Sequence, residues 1–291
     1  MAIKIAVVNE SINDETRVAV VPEIAQKLSS NNISFVIEKN AGAASGFLDA
    51  DYPDNSCSFV GSSSDVLNDA DVLFKVNPPT QDEIKNMKKG AIAISYMQPF
   101  QNDALIKSMA ASGIDAFSVE LIPRISRAQS MDALSSQASI AGYKSVILAA
   151  NQANKFFPML TTAAGTVRPA QTLIIGAGVA GLQAIATAKR LGSRVIAFDV
   201  RGSTREQIES LGAQFLDTGI TAEGEGGYAR ELTTDELDTQ KEVLSKAMSQ
   251  SDVVITTAAV PGKPAPKLID KETVESMAPG SVIVDLGAIS G

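Results

Sequence analysis

The sequence contains no histidine in 291 residues and a single cysteine, Cys57. Without an imidazole, histidine-based acid and base catalysis, a serine–histidine triad and most zinc sites are excluded as chemistry within the chain. One thiol permits neither an intrachain disulfide framework nor a thiolate metal cluster. With no base to activate it, Cys57 reads as a small buried or half-buried side chain, and no metal is expected. Long apolar runs are missing too: no stretch reaches the roughly 18 residues needed to span a bilayer. Basic charge is in deficit, 25 lysines and arginines against 33 aspartates and glutamates for a formal charge of −8, which argues against nucleic acid as a partner. The N-terminus, Met1 to Val8, runs directly into a strand pattern with no targeting segment in front of it. Together these absences point to a cytoplasmic protein with no membrane insertion of its own.

What is present suits a globular chain of two domains: 45% of residues are hydrophobic and 20% charged. Short apolar runs alternate with helical patterns, the sign of α/β units with parallel sheets. In the first half the strand candidates are Ile3 to Val8, Ser34 to Glu38, Val72 to Val76, Ile92 to Tyr96 and Asp115 to Ser118, with helical stretches such as Pro22 to Ser30 and Gln81 to Lys88. From Asp132 to Lys155 a long helix is expected, Ile140, Tyr143, Ile147 and Ala150 returning at helical spacing. The second half reads as strand, glycine loop, helix, strand (Arg194 to Phe198), helix (Thr204 to Ser210) and strand (Gln214 to Leu216). A helix (Gln240 to Gln250), the strand Val253 to Thr257, a helix (Lys271 to Met277) and the strand Val282 to Leu286 follow. The predicted fold is therefore two Rossmann-like, doubly wound parallel-sheet domains, residues 1–131 and 159–291, joined by a long helix over 132–158, with a cleft between them. A stop at Gly291, just after a strand, suggests that the second domain is truncated.

The most informative motif is Gly176-Ala177-Gly178-Val179-Ala180-Gly181. It follows the apolar run Thr172 to Ile175, opens a helical pattern, and is answered by Asp199, 18 residues beyond Gly181. Strand, glycine loop, helix, strand and acid in this order form the sequence picture of a dinucleotide site. Gly176 serves the tight turn, Gly178 the approach of backbone to a pyrophosphate, and Gly181 close packing of helix on strand. The helix N-terminus presents N–H groups to the phosphates. Asp199 is expected to accept hydrogen bonds from the adenosine ribose and to repel a 2′-phosphate, which selects NAD(H). Val200 and Arg201 would lie near the ribose or adenine. Ala258-Ala259-Val260, after a later strand, borders the nucleotide through its backbone or is a plain turn. Residues Asp217 to Asp238 break the rhythm with four glycines and Tyr228; this is either a functional flap or a solvated excursion.

Taken together, these features resemble the NAD(H)-binding component, domain I, of proton-translocating nicotinamide nucleotide transhydrogenase, from the N-terminus to Gly291. The most specific block is Ile122-Pro123-Arg124-Ile125-Ser126-Arg127-Ala128-Gln129-Ser130-Met131-Asp132, followed by Ala133 to Gln137. The resemblance implies that Arg124, Gln129 and Asp132 stand beside the nicotinamide, that Ser135 is near its carboxamide, and that Tyr228 tips a mobile loop that closes over the nucleotide. On composition alone, Arg124 and Asp132 could equally form an ordinary surface ion pair. The likeness further implies a homodimer, an NADP(H)-binding partner subunit, a membrane-embedded subunit that carries protons, and peripheral association with the inner membrane.

Hydride transfer between two nicotinamides needs flat rings held close and dry rather than a nucleophile or a metal, so a chain without histidine suits it. Alanine dehydrogenase is the related alternative. Arg17 and Lys75 stand where its substrate arginine and catalytic lysine would, but Gln98 occupies the place of its catalytic histidine and cannot serve as its acid or base. A third reading is an NAD(H)-binding module with no activity of its own.

Overall fold

The computed structural model describes residues 2–11, 15–224, 230–258 and 264–288. The chain divides into two compact units, Met1–Leu134 and Ser135–Gly291. Both are α/β units built on a parallel sheet, as the alternation of short apolar runs with helical patterns indicates.

In the first unit six strands lie in the order β3-β2-β1-β4-β5-β6, where β1 is Ile3–Val7, β2 Ile33–Glu38, β3 Cys57–Val60, β4 Val72–Phe74, β5 Ile92–Ser95 and β6 Asp115–Ser118. Every neighbouring pair is parallel. Alternate side chains of β1 feed opposite faces, as a pleat with period two requires. Ile5 and Val7 join Phe35, Ile37 and Ala25 of α1 (Pro22–Leu28), while Ala6 and Val8 join Val66 and Leu67 of α2 (Ser63–Leu67). A third cluster packs Ile84 of α3 (Gln81–Asn86) and Met109 of α4 (Asp103–Ala111) against Ala93 and Met97. Strand β3 has no counterpart among the sequence-predicted strands. It carries Cys57, half-buried, whose thiol is pushed up by burial.

The second unit opens with α5 (Ala133–Gln152), counted with this unit from Ser135 onward. It ends short of the predicted Lys155. An antiparallel pair, β7 (Leu160–Thr162) and β8 (Gly165–Val167), follows; the sequence pattern did not reveal it because all six residues are exposed and show no alternation. The main sheet has the order β11-β10-β9-β12-β13, with β9 Gln171–Ile175, β10 Arg194–Phe198, β11 Gln214–Phe215, β12 Val253–Thr256 and β13 Val282–Asp285, all parallel. Strand β9 sits at the centre. Ile174 packs on one face with α5, α6 (Val179–Arg190) and α7 (Arg205–Ser210). Leu173 and Ile175 pack on the other with Leu244 and Met248 of α8 (Thr234–Ser249), beside α9 (Lys271–Glu275).

Helix α8 begins six residues before the predicted Gln240. Its start is fixed by a capping box: the Thr233 hydroxyl accepts the Glu236 N–H at 3.3 Å and the Glu236 carboxylate accepts the Thr233 N–H at 2.9 Å. Such a cap stabilises a helix by about 1 kcal/mol. The irregular excursion is correspondingly shorter than Asp217 to Asp238. Among the described residues no helix is long and apolar enough to cross a membrane.

Candidate functional site

At the carboxyl end of β9 the chain turns through Gly176, whose φ of +99° favours glycine. A side chain there would also meet the Thr257 hydroxyl at 2.6 Å. That hydroxyl donates to the Gly176 carbonyl at 3.0 Å, tying the loop to the residue after β12, and the Gly176 N–H donates to the Phe198 carbonyl at 2.8 Å. Gly181, on the first turn of α6, lies so near that a Cβ on it would stand 1.9 Å from the Gly176 carbonyl oxygen. Gly178 differs from both. It is exposed, and a Cβ there would meet nothing within 4 Å among the described residues. The loop is thus packed against protein at its two ends and open in the middle, the shape of a cradle with room over its backbone. Gly178 is the N-cap of α6 and no side chain caps that helix, so its first-turn N–H groups and positive dipole end are directed to the same space.

Asp199, after β10, is buried at 7% exposure beside this loop. Its Oδ2 accepts the Ala177 N–H at 2.7 Å and Arg201 Nη2 at 2.7 Å; its Oδ1 accepts the Arg201 backbone N–H at 2.9 Å and Arg201 Nε at 2.8 Å. Burial by itself would raise this carboxyl, but the hydrogen bonds from the Arg201 guanidinium, the Ala177 N–H and the Arg201 N–H outweigh it and hold it below the usual carboxylate range. It is therefore an anion at neutral pH.

The next residue, Val200, offers its carbonyl to the N–H of fully buried Ala222 at 2.8 Å, and the Ala222 carbonyl accepts the Arg230 N–H at 3.2 Å. The excursion is therefore anchored next to Asp199 through Ala222, to which Arg230 is tied in turn. Tyr228 itself lies outside the described residues, as do Ala259 and Val260; Ala258, two residues after β12, is half-buried.

A residue that no motif pointed to is Gln240, on the face of α8 that also carries Leu244 and Met248. It is 3% exposed, and its Oε1 has no hydrogen-bond partner among the described residues. A buried acceptor left unmet is costly, on the order of 1–3 kcal/mol.

In the first unit Arg124, Gln129 and Asp132 share one loop after β6. A 3-10 turn over Ser126–Met131 buries Ala128, with the Ala128 N–H bonded to the Ile125 carbonyl at 2.9 Å and the Asp132 N–H to the Gln129 carbonyl at 3.2 Å. Arg124 and Gln129 are exposed and Asp132 half-buried; Arg124 and Asp132 are each engaged within the chain. Just ahead of the loop the Glu120 carboxylate accepts the N–H groups of Met97 and Gln98. The Tyr96 hydroxyl is buried, and this raises its pKa; nearby Glu120 and Asp132 act in the same direction and Arg17 against it. Ser135 stands on the first turn of α5, in the second unit.

Lys75 is buried rather than exposed. Its side chain is 6% exposed; Nζ donates to both Glu83 carboxylate oxygens at 2.8 Å, and Glu10 is 4.0 Å away. Removing one member of such a buried pair costs about 3–5 kcal/mol. Arg17 is paired with Glu15 at 2.7 Å, and Glu15, hydrogen-bonded chiefly by that guanidinium, is held down to about 2. The two cations singled out for an amino-acid pocket are thus both occupied by carboxylates.

Comparison with known proteins returns the same two halves. The family model "Alanine dehydrogenase/PNT, N-terminal domain" matches residues 6–141, and "Alanine dehydrogenase/PNT, C-terminal domain" matches residues 145–291. The chain is 43% identical over 294 residues to an NAD(P) transhydrogenase alpha subunit of Rickettsia prowazekii (strain Madrid E), covering 99% of this chain and 77% of that one. Among solved structures, the transhydrogenase from Sinorhizobium meliloti aligns with a TM-score of 0.88 at 42% identity, covering 99% of this chain and 79% of that chain. An L-alanine dehydrogenase aligns with a TM-score of 0.82 at 26% identity, covering 99% and 75%.

Proposed function

The chain belongs to the alanine dehydrogenase/PNT family, and from that premise we propose that it is the NAD(H)-holding component of a transhydrogenase. In this reading it exchanges hydride between NAD(H) on its second unit and NADP(H) on a partner subunit, in a reaction coupled to proton translocation by a membrane-embedded subunit. The observation that carries the reading is the open-centred glycine loop with the ionised Asp199 beside it. Its residues fit a dinucleotide: room over Gly178, uncapped N–H groups on α6 and a carboxylate for ribose hydroxyls.

When bound, the nicotinamide supplies the carbon that gives or takes the hydride; the chain binds, orients and keeps water away. Gly176, Gly178, Gly181 and the backbone of Val179 and Ala180 hold the pyrophosphate, and Asp199 with the Val200 and Arg201 backbone holds the adenosine ribose. Ala258, Ala259 and Val260 border the nucleotide, and Tyr228 closes over it. Arg124, steadied by Asp132, supplies charge and fixed donors at the nicotinamide end with Ser135, while Gln129 reaches toward the partner's nucleotide. No proton need pass through any of these groups. The component acts as a homodimer at the inner membrane, attached through its partner subunits.

The test mixes the purified chain with the NADP(H)-binding component of a transhydrogenase and follows hydride transfer from NADPH to an oxidised NAD analogue by absorbance. Transfer that needs both proteins supports the reading. NADH binding without transfer under any pairing leaves a binding module instead, and reduction of NAD by an amino acid alone would return the chain to the dehydrogenase reading.

Asp199→Ala is expected to weaken NADH binding by about 10- to 100-fold and to narrow the preference over NADPH, because it removes the ribose acceptor and the repulsion of a 2′-phosphate together. Unchanged selectivity in paired titrations would remove the ribose role from Asp199.

A further inference from the structure

The Asp199 carboxylate has about four lone-pair sites, and among the described residues four donors reach it. Two are backbone N–H groups, of Ala177 and Arg201; the other two are Nε and Nη2 of the Arg201 side chain, at 2.8 and 2.7 Å. Nothing is left for a ribose hydroxyl. A sugar that is to be recognised by Asp199 must therefore displace a donor already in place, and the two backbone donors belong to the turn that forms the site. The guanidinium is the movable one: its side chain is 23% exposed while that of Asp199 is 7% exposed, so it can swing outward where the carboxylate cannot.

We propose that Arg201 is an intramolecular competitor for the cofactor's ribose, a side chain that saturates Asp199 in the free protein and is exchanged for the two ribose hydroxyls when NAD(H) binds. The inference rests on the NAD(H) reading above and adds to it a residue that sets affinity and selectivity. The exchange keeps the count of hydrogen bonds to the carboxylate, two N–H donors leaving and two O–H donors arriving. It gives up a charge-assisted, two-point contact of the strong class. Apparent affinity for the cofactor is reduced by the fraction of molecules in which the clasp is closed. The displaced guanidinium carries its charge to the rim of the ribose site, where a 2′-phosphate would sit. Arg201 thereby also softens the exclusion of NADP(H) that Asp199 alone would impose.

The test compares the full chain with Arg201→Ala and Arg201→Lys by titrating NADH, NADPH and ADP-ribose. NADH is followed by its own fluorescence, which meets no indole emission because the chain has no tryptophan, and the other two by calorimetry. Expected for Arg201→Ala is about tenfold tighter binding of NADH and ADP-ribose, with NADPH unchanged or weaker, so that the ratio between NADH and NADPH widens. Arg201→Lys, which keeps the charge but loses the two-point fork, should show a smaller gain of the same sign, and it decides the matter if the alanine variant loses its fold by circular dichroism. Equal or weaker NADH binding in the folded variants overturns the clasp and leaves the cofactor reading standing. Failure of the unaltered chain to bind NADH or ADP-ribose overturns both.

Discussion

Replacing Arg124 by alanine is expected to lower hydride transfer by about 100- to 1000-fold, the range found when a preorganised donor is removed from developing charge, while NADH affinity changes by less than about threefold. The split follows from where the residue sits. Arg124 belongs to the first unit, on a loop shaped by the 3-10 turn over Ser126–Met131, whereas the groups assigned to the pyrophosphate and the adenosine ribose belong to the second. Most of the contact that sets NADH affinity is therefore independent of it. In the proposed reading it contributes placement of one ring, and the rate of hydride transfer is steep in that placement because a shift of about 1 Å can cost 100-fold. Single-turnover transfer and NADH titration on the same variant separate the two. Equal losses in rate and affinity would mean that Arg124 is a binding residue and that the positioning role is misassigned.

The second large effect is a contrast between neighbouring glycines. Gly181→Ala places a methyl group 1.9 Å from the Gly176 carbonyl oxygen and 3.1 Å from the Thr257 hydroxyl, so α6 and the loop must part. Overpacking of this kind costs about 1–3 kcal/mol, and because the atoms that must move form the cradle, NADH binding should fall by more than about 100-fold. Gly178→Ala meets open space among the described residues, and its φ of −75° suits any residue. Unfolding stability should stay within about 0.5 kcal/mol, yet NADH binding should be lost to a similar extent, since the added methyl fills the space that the proposed reading gives to phosphate. Thermal unfolding beside NADH titration reads both quantities. A Gly178→Ala variant that binds NADH normally would show that no ligand approaches the loop there.

The parts of this molecule that could be read in advance are those in which local sequence and tertiary role agree. Thr172 to Ile175 is apolar because β9 is buried on both faces, and the glycines that follow it are spaced by the turn they make. The groups that escaped are those whose role depends on residues far along the chain. Strand β3 is short and only partly buried, so Cys57 to Val60 lacks the alternation that marks a strand. Gln240 resembles any polar residue on an amphipathic helix until the folded unit buries that face of α8. The burial of Lys75 depends on Glu83 and Glu10, 8 residues after it and 65 before it. That Arg201 caps Asp199 was open to inspection as a neighbour of the acid, but the direction of the side chain is decided by the pocket and not by the spacing.

Strand β9 has a kinetic consequence. Hydrogen-bonded on both edges by β10 and β12 and covered on both faces, its amide hydrogens reach solvent only when the whole unit opens. The next turn of chain, at Gly178 and Val179, is already in contact with water. A slow and a fast exchange clock therefore stand side by side, separated by Gly176 and Ala177. A molecule seated on the loop would slow the fast clock by covering it and slow the other only as far as it stabilises the entire unit, so occupancy and global stability are recorded separately within one short peptide.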